Sequence, residues 1–232
     1  MISIANNFSK VRKIIHASCK AHHRPENAVQ LLAVSKTRSA QQLVVLHQAG
    51  QLHFGENYLQ EALDKQALLA KLPLIWHFIG PIQSNKTRAI AENFSWVHSV
   101  DRFKIAKRLS EQRPSHLPPI NICLQVNISN EANKAGCSAL ECTGLLAQMS
   151  SLEHIKVRGL MAIPKATDNI LEQRAAFSDM SHLLTQCRLQ YPQLDTLSMG
   201  MSADMDPAIG QGATIIRVGT ALFGPRDYSN KA

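Results

Sequence analysis

The chain has 232 residues, 45% of them hydrophobic and 18% charged, an ordinary globular composition able to bury one full core. No stretch approaches the ~20 consecutive apolar residues that a membrane span needs, so no membrane role is expected. The formal charge of +8 favours anionic partners. Lys and Arg do not run in blocks, however, and only three Tyr and two Trp accompany them, so nucleic acid is not an expected partner and a small phosphorylated molecule suits the same charge.

From the N-terminus, Ile4, Phe8, Val11 and Ile15 recur at helical spacing and predict an amphipathic helix within residues 1–25. The segment is basic and free of acidic residues until Glu26, as transit peptides are, but the apolar stripe favours a permanent helix packed on the rest. After it, short β-rich runs alternate with segments of helical period. The predicted strands are Leu31–Ser35, His53–Gly55, Leu74–Ile79, Trp96–Val100, Ile120–Ile128, Val157–Ile163, Thr196–Met199 and Ile215–Val218. The predicted helices between them are Ala40–Ala49, Tyr58–Leu72, Asn85–Asn93, Phe103–Glu111, Leu140–Met149, Ile170–Leu189 and Ala203–Gln211. Ser39 with Gln42 reads as a capping box, Ser84, Asp101 and Ser202 as caps, and Gly50 as a helix stop.

Repeated strand–helix alternation predicts parallel strands with right-handed crossovers. Eight units without a break, and no G-x-G-x-x-G turn after the first strand, favour a closed (β/α)8 TIM barrel over an open sheet. No linker or repeat interrupts residues 1–232, which are expected to form a single domain. Cys19, Cys123, Cys137, Cys142 and Cys187 are odd in number, scattered and without a C-x-x-C pair, which predicts a reducing, cytoplasmic setting and no zinc site.

In such a barrel the site lies at the C-terminal ends of the strands. The first strand ends in Ser35-Lys36-Thr37. Lys36 there is either a solvated loop lysine or a partly desolvated amine able to form a Schiff base with a carbonyl, and the pattern alone favours neither. Gly200–Ser202 and Gly219-Thr220 flank the last strand–helix–strand unit, where barrels commonly hold a phosphate, although turn-forming and capping account for the same residues. Arg217 lies inside the last strand and alternation points it inward, to meet either a carboxylate, with Glu56 at hand, or a ring nitrogen of a ligand. His77 is a weaker candidate for a base, more readily a hydrogen-bonded core residue. Asn57 either donates to a ligand or closes its loop. Asn127 with Lys134 forms a polar loop that offers a second anion contact or is simply solvated. No metal-ligand spacing or nucleophilic triad is present.

The segments LLAVSKT, HFGENYLQEALDK, WHFIGPIQSNKTR, HSVDR, LQVNIS, RGLMAIP, LSMGMSADM and IRVGTALFG, in this order, resemble the pyridoxal phosphate homeostasis protein family (the YggS/PROSC type). The resemblance implies a fold-type III barrel like the N-terminal domain of alanine racemase. It implies a cofactor, pyridoxal 5′-phosphate, bound as a Schiff base on Lys36, with Ser202, Gly219 and Thr220 at its phosphate, Met201 beside them, Arg217 facing the pyridine nitrogen and Asn57 near the ring. An arginine at that nitrogen disfavours its protonation and makes the ring a shallow electron sink. Together with the absence of sequence for a second domain before Ala232, this predicts a non-catalytic carrier or buffer of the cofactor, a monomer, with apo enzymes as its recipients. The alternative is an enzyme of the same fold, such as an amino-acid racemase.

Overall fold

A computed structural model describes residues 3–225. Eight parallel strands close into a barrel in sequence order: β1 (Gln30–Val34), β2 (His53–Glu56), β3 (Ile75–Phe78), β4 (Trp96–Val100), β5 (Ile120–Val126), β6 (Ile155–Ala162), β7 (Thr196–Ser198) and β8 (Ile215–Val218). β8 pairs back on β1 in a register that sets Arg217 against Leu32. The helices are α1 (Ile4–Ala21), α2 (Ala40–Gln48), α3 (Leu59–Leu68), α4 (Thr87–Asn93), α5 (Phe103–Gln112), α6 (Cys142–Met149), α7 (Ile170–Arg188), α8 (Met205–Gly210) and α9 (Thr220–Phe223). The predicted (β/α)8 barrel is therefore the architecture observed.

Strand ends differ from the sequence pattern by one or two residues, and the helix differences have local causes. α3 stops at Leu68 rather than Leu72, because Leu72 precedes Pro73 and is biased out of helical geometry. α8 starts at Met205 rather than Ala203. That start puts Pro207 in the first turn, where a missing N–H costs no helical bond. Asp204, not Ser202, occupies its N-cap. Asp101 does not cap α5 either; Arg102 holds that place, and the Asp101 carboxylate pairs with the Arg102 guanidinium at 2.6 Å. Gln42 Oε1 accepts the Ser39 N–H at 3.0 Å, the reciprocal half of the expected box. Gly50 ends α2 with its N–H on His47 O.

The hydrophobic core forms between sheet and helices, where Phe54, Val97, Ile122 and Leu160 of the strands meet Leu43, Ile90, Leu109 and Phe177. The barrel interior is a separate compartment. Leu32, Cys123, Met161 and Ile215 are buried there outside that core, among the polar side chains of His77, His98, Ser198 and Arg217. All five cysteines are unpaired and buried, and burial pushes the Cys123 thiol up to about 12.

α1 buries Phe8, Val11 and Ile15, as its stripe requires, and packs on α2, α8 and α9. Asn7 Nδ2 donates to Leu222 O at 3.0 Å, Ser18 Oγ to Asp206 Oδ1 at 2.7 Å, and Arg24 Nη1 to Ile209 O and Ala213 O, each at 2.7 Å. Among the described residues, no helix is long and apolar enough to cross a membrane.

Candidate functional site

A cavity of about 280 Å³ opens at the C-terminal ends of the strands. Lys36, Asn57, Met201, Ser202, Arg217, Gly219 and Thr220, all singled out from sequence, line it together. Val34, Arg38, Ile79, Met161, Ile163 and Ala203 complete the wall. A larger hollow of about 490 Å³ lies at the start of β6, near Leu146, Tyr191 and Arg158. It holds none of the predicted residues, and its Arg158 is occupied by Asp195 and Asn121.

One side of the cavity is built around Lys36. The next residue, Thr37, has φ +61°, a left-handed conformation that a β-branched residue adopts only under constraint. The constraint is a buried ionic cluster. Lys65 Nζ donates to Ser35 O at 2.6 Å, Glu56 Oε1 at 2.7 Å and Glu61 Oε1 at 2.6 Å. Glu61 Oε1 in turn accepts the Thr37 N–H, and Ser35 Oγ donates to Glu56 Oε1 at 2.6 Å. Both residues flanking Lys36 are thus fixed by α3. Burial pushes the Glu56 carboxyl up, against the pull of Lys65 and Ser35. The sequence marks neither Lys65 nor Glu61 as a site residue, and Glu56 only as a candidate partner of Arg217. Glu61 and Lys65 form an i,i+4 pair that ordinarily marks a solvated helix face.

The floor is built around Arg217, which is 5% exposed. Its partner is not Glu56, as alternation allowed. Nη1 donates to Ser198 O at 2.7 Å and to Ser198 Oγ at 2.9 Å, and Nη2 donates to Ala162 O at 2.9 Å. Burial lowers the guanidinium to about 10, opposed by the charge of Asp204, so it stays cationic at neutral pH. Below it, Ser198 Oγ meets His98 Nδ1, His98 Nε2 meets His77 Nδ1, and His77 Nε2 meets His53 Nδ1, each at 2.9 Å. β4 and β7 are not neighbours in the sheet, so the His98–Ser198 contact crosses the barrel interior. Burial lowers His53, takes His77 well down and brings His98 to about 3, with the Arg217 charge adding to the effect on His98. His77 therefore lies beneath the cavity, not in it, and is the hydrogen-bonded core residue that its position favoured.

At the remaining end, Asp204 accepts the Met201 N–H and fixes the turn after β7. Among the described residues, the Ser202 and Ala203 N–H groups carry no hydrogen bond. Gly200 has φ +88°, and a Cβ there would lie 2.5 Å from Ala208 Cβ, so only glycine lets this turn sit against α8. A Cβ on Gly80 would lie 2.1 Å from Asn57 O, so that glycine lets the loop after β2 approach the loop after β3. Asn57 Oδ1 is buried and without a partner among the described residues, on the cavity wall. Asn127 and Lys134 do not join the cavity. The Asn127 amide closes its own loop on Glu131, and Lys134 Nζ pairs with Glu131 at 3.0 Å.

A closed parallel barrel with its cavity at this face is a (β/α)8 barrel with the site where that fold places it. A family model for the alanine racemase N-terminal domain matches residues 3–227. Alanine racemase of Corynebacterium glutamicum shares the fold, with a TM-score of 0.73 at 16% identity over 97% of this chain and 61% of its own. Within that class the likeness narrows. The chain is 57% identical to the pyridoxal phosphate homeostasis protein of Pseudomonas aeruginosa over 232 residues, all of both chains. It is 45% identical over 234 residues to the Escherichia coli protein of the same name, again over all of both. The chain belongs to the pyridoxal phosphate homeostasis protein family. PipY of Synechococcus elongatus, solved with pyridoxal phosphate bound, has a TM-score of 0.83 at 39% identity, over 95% of this chain and 100% of its own.

Proposed function

We propose that this protein binds pyridoxal 5′-phosphate reversibly in the cavity above Arg217 and serves as a cytoplasmic carrier and buffer of the cofactor, not as an enzyme. The whole chain acts as one binding unit and as a monomer, and apo enzymes that need the cofactor receive it. One observation carries this reading. The cavity offers an amine, a buried cation and an array of N–H and hydroxyl donors, while among the described residues no carboxylate, imidazole, phenol or thiol lines it. That is a set for holding an anionic aldehyde, without an evident acid–base pair to work on a substrate.

The residues fit the cofactor. Its aldehyde suits the Lys36 amine, which holds it as a Schiff base. Its phosphate suits the Ser202 and Thr220 hydroxyls, the backbone at Gly219 and the N–H groups of Ser202 and Ala203, with Met201 alongside. The unpartnered Asn57 Oδ1 is suited to a polar group on the ring. Arg217 retains N–H groups for an unprotonated ring nitrogen. When bound, the cofactor supplies an electrophilic aldehyde on an electron-withdrawing ring. Arg217, cationic and hydrogen-bonded to no carboxylate among the described residues, would disfavour protonation of that ring and so keep its chemistry shallow.

The test is an absorbance titration followed by borohydride reduction and mapping of the modified lysine. Wild-type protein develops an imine band and the label lands on Lys36; a Lys36→Ala variant that binds identically overturns the reading. Solvent deuterium entering Cα of any amino acid at turnover rates would establish an enzyme instead.

A further inference from the structure

His53, His77 and His98 form a line beneath the cavity in which every hydrogen can be assigned. A guanidinium only donates. Arg217 Nη1 gives a hydrogen to Ser198 Oγ at 2.9 Å, which leaves that hydroxyl to point its own hydrogen at His98 Nδ1, also at 2.9 Å. His98 Nδ1 is then an acceptor, and the neutral ring carries its hydrogen on Nε2, aimed at His77 Nδ1. The same holds one step further down, where His77 Nε2 faces His53 Nδ1. The reverse polarity would set two donors on Ser198 Oγ and leave its O–H without an acceptor among the described residues. An unmade buried hydrogen bond of that kind biases the two arrangements by about tenfold or more.

We propose that His98, His77 and His53 are positioning residues: one polarised column of neutral Nε2–H imidazoles that acts through Ser198 to set the direction in which Arg217 presents its cation to the cavity. Of the five guanidinium hydrogens, the two on Nη1 go to Ser198 and one on Nη2 goes to Ala162 O. Nε–H and the other Nη2–H are left for a ligand at the floor. The column makes this choice stable for two reasons. Each link polarises the next, so one end senses the other. The His77 ring is also stacked on Trp96, with centroids 5.4 Å apart and planes 11° apart, and Arg158 caps the far face of the region at 5.0 Å from the Trp96 centroid. Burial of His77 and His98 keeps the column neutral, so no second positive charge is set beneath Arg217.

The inference deepens the reading of the cavity as a pyridoxal phosphate site and rests on it for the identity of the ligand. The column itself is tested without ligand, by long-range ¹H–¹⁵N correlation on the full chain labelled at histidine. All three rings are expected as neutral Nε2–H tautomers, and any one found as Nδ1–H or doubly protonated at neutral pH overturns the column. In Ser198→Ala the hydroxyl that sets the polarity is gone, and His53, two rings away from the change, is expected to become a mixture of tautomers. Ser198→Thr retains the hydroxyl and is expected to keep the wild-type spectrum. Affinity for pyridoxal phosphate is expected to fall about tenfold in Ser198→Ala, the equivalent of one buried hydrogen bond, and to recover in Ser198→Thr. Equal affinity in all three proteins overturns the positioning role. A wild-type protein that shows the three tautomers yet takes up no pyridoxal phosphate would count against the functional reading while leaving the column standing.

Discussion

Two buried cations flank the same cavity and are stabilised in opposite ways. Lys65, behind Lys36, is surrounded by carboxylates, with Glu56 and Glu61 at 2.7 and 2.6 Å. Arg217, at the floor, hydrogen-bonds only to two backbone carbonyls and the Ser198 hydroxyl. The first arrangement cancels charge and fixes backbone: it holds Thr37 left-handed and so aims Lys36. The second leaves the charge without a hydrogen-bonded carboxylate, with Asp204 acting on it only through its field. On the proposed function the two have separate tasks: the clamp fixes the backbone on either side of Lys36, and the floor keeps a cation facing the cavity.

The contrast can be broken at several points, taken here from the largest effect down. Lys36→Ala is expected to abolish the imine band altogether while leaving the fold intact, as read by absorbance and circular dichroism. Lys65→Met leaves two carboxylates beside each other, one of them wholly buried, and is expected to cost about 3–5 kcal/mol in urea unfolding. The double variant with Glu56→Gln should recover part of that loss, which no neutral pair would do. Acid should act on the floor before it acts on the clamp. His77 and His98 have folded pKa values depressed below the ordinary 6.5, His98 to about 3, so the unfolded chain binds more protons and stability falls as pH drops below 6.5. Each of the two adds up to about 1.4 kcal/mol per pH unit to that slope once pH is below 6.5, measurable from urea midpoints between pH 7 and 5. Glu56, whose pKa burial raises, gives no loss in that window.

Two smaller effects sharpen the comparison. His98→Leu orphans one donor and one acceptor but no charge, so its cost of about 1–3 kcal/mol should stay below that of Lys65→Met. Asp206→Asn is expected to cost less than about 1 kcal/mol, because that carboxylate is half exposed although Ser18 and His22 hold it below the usual range. Its contribution is present above the carboxylate range and is lost as pH falls through its lowered pKa.

The barrel was legible because strand–helix alternation is a local signal repeated eight times, and strand-end positions translate directly into the rim of the cavity. Lys36, Arg217 and Thr220 could be placed on that rim without knowing any contact. What stayed hidden was pairing at long range. Lys65 sits on a helix as half of an ordinary i,i+4 pair, and nothing local says that it turns inward to Ser35. His53 opens a strand and His98 lies within one, and their shared column depends on side chains reaching across a closed sheet. Glu56 was suggested for Arg217 on sign alone; β2 instead delivers it to Lys65, next door on α3. The start of α8 differs because Ser202 reads as a cap in sequence, whereas Asp204 holds that place and puts Pro207 in the first turn.

The strap that α1 lays across α8 and α9 has a consequence in time. Synthesis runs from the N-terminus, so α1 and Lys36 emerge first, while α8, Arg217 and α9 emerge last. The bonds from Asn7 to Leu222, Ser18 to Asp206 and Arg24 to Ile209, and the β1–β8 seam, all join segments some 185–215 positions apart. Contacts of such sequence separation form late and slowly. A nascent chain therefore carries Lys36 for most of its synthesis without the far wall of the cavity formed by Met201, Ser202, Arg217, Gly219 and Thr220. The last strand and its latch arrive together, so the cavity described above is complete only in a finished molecule.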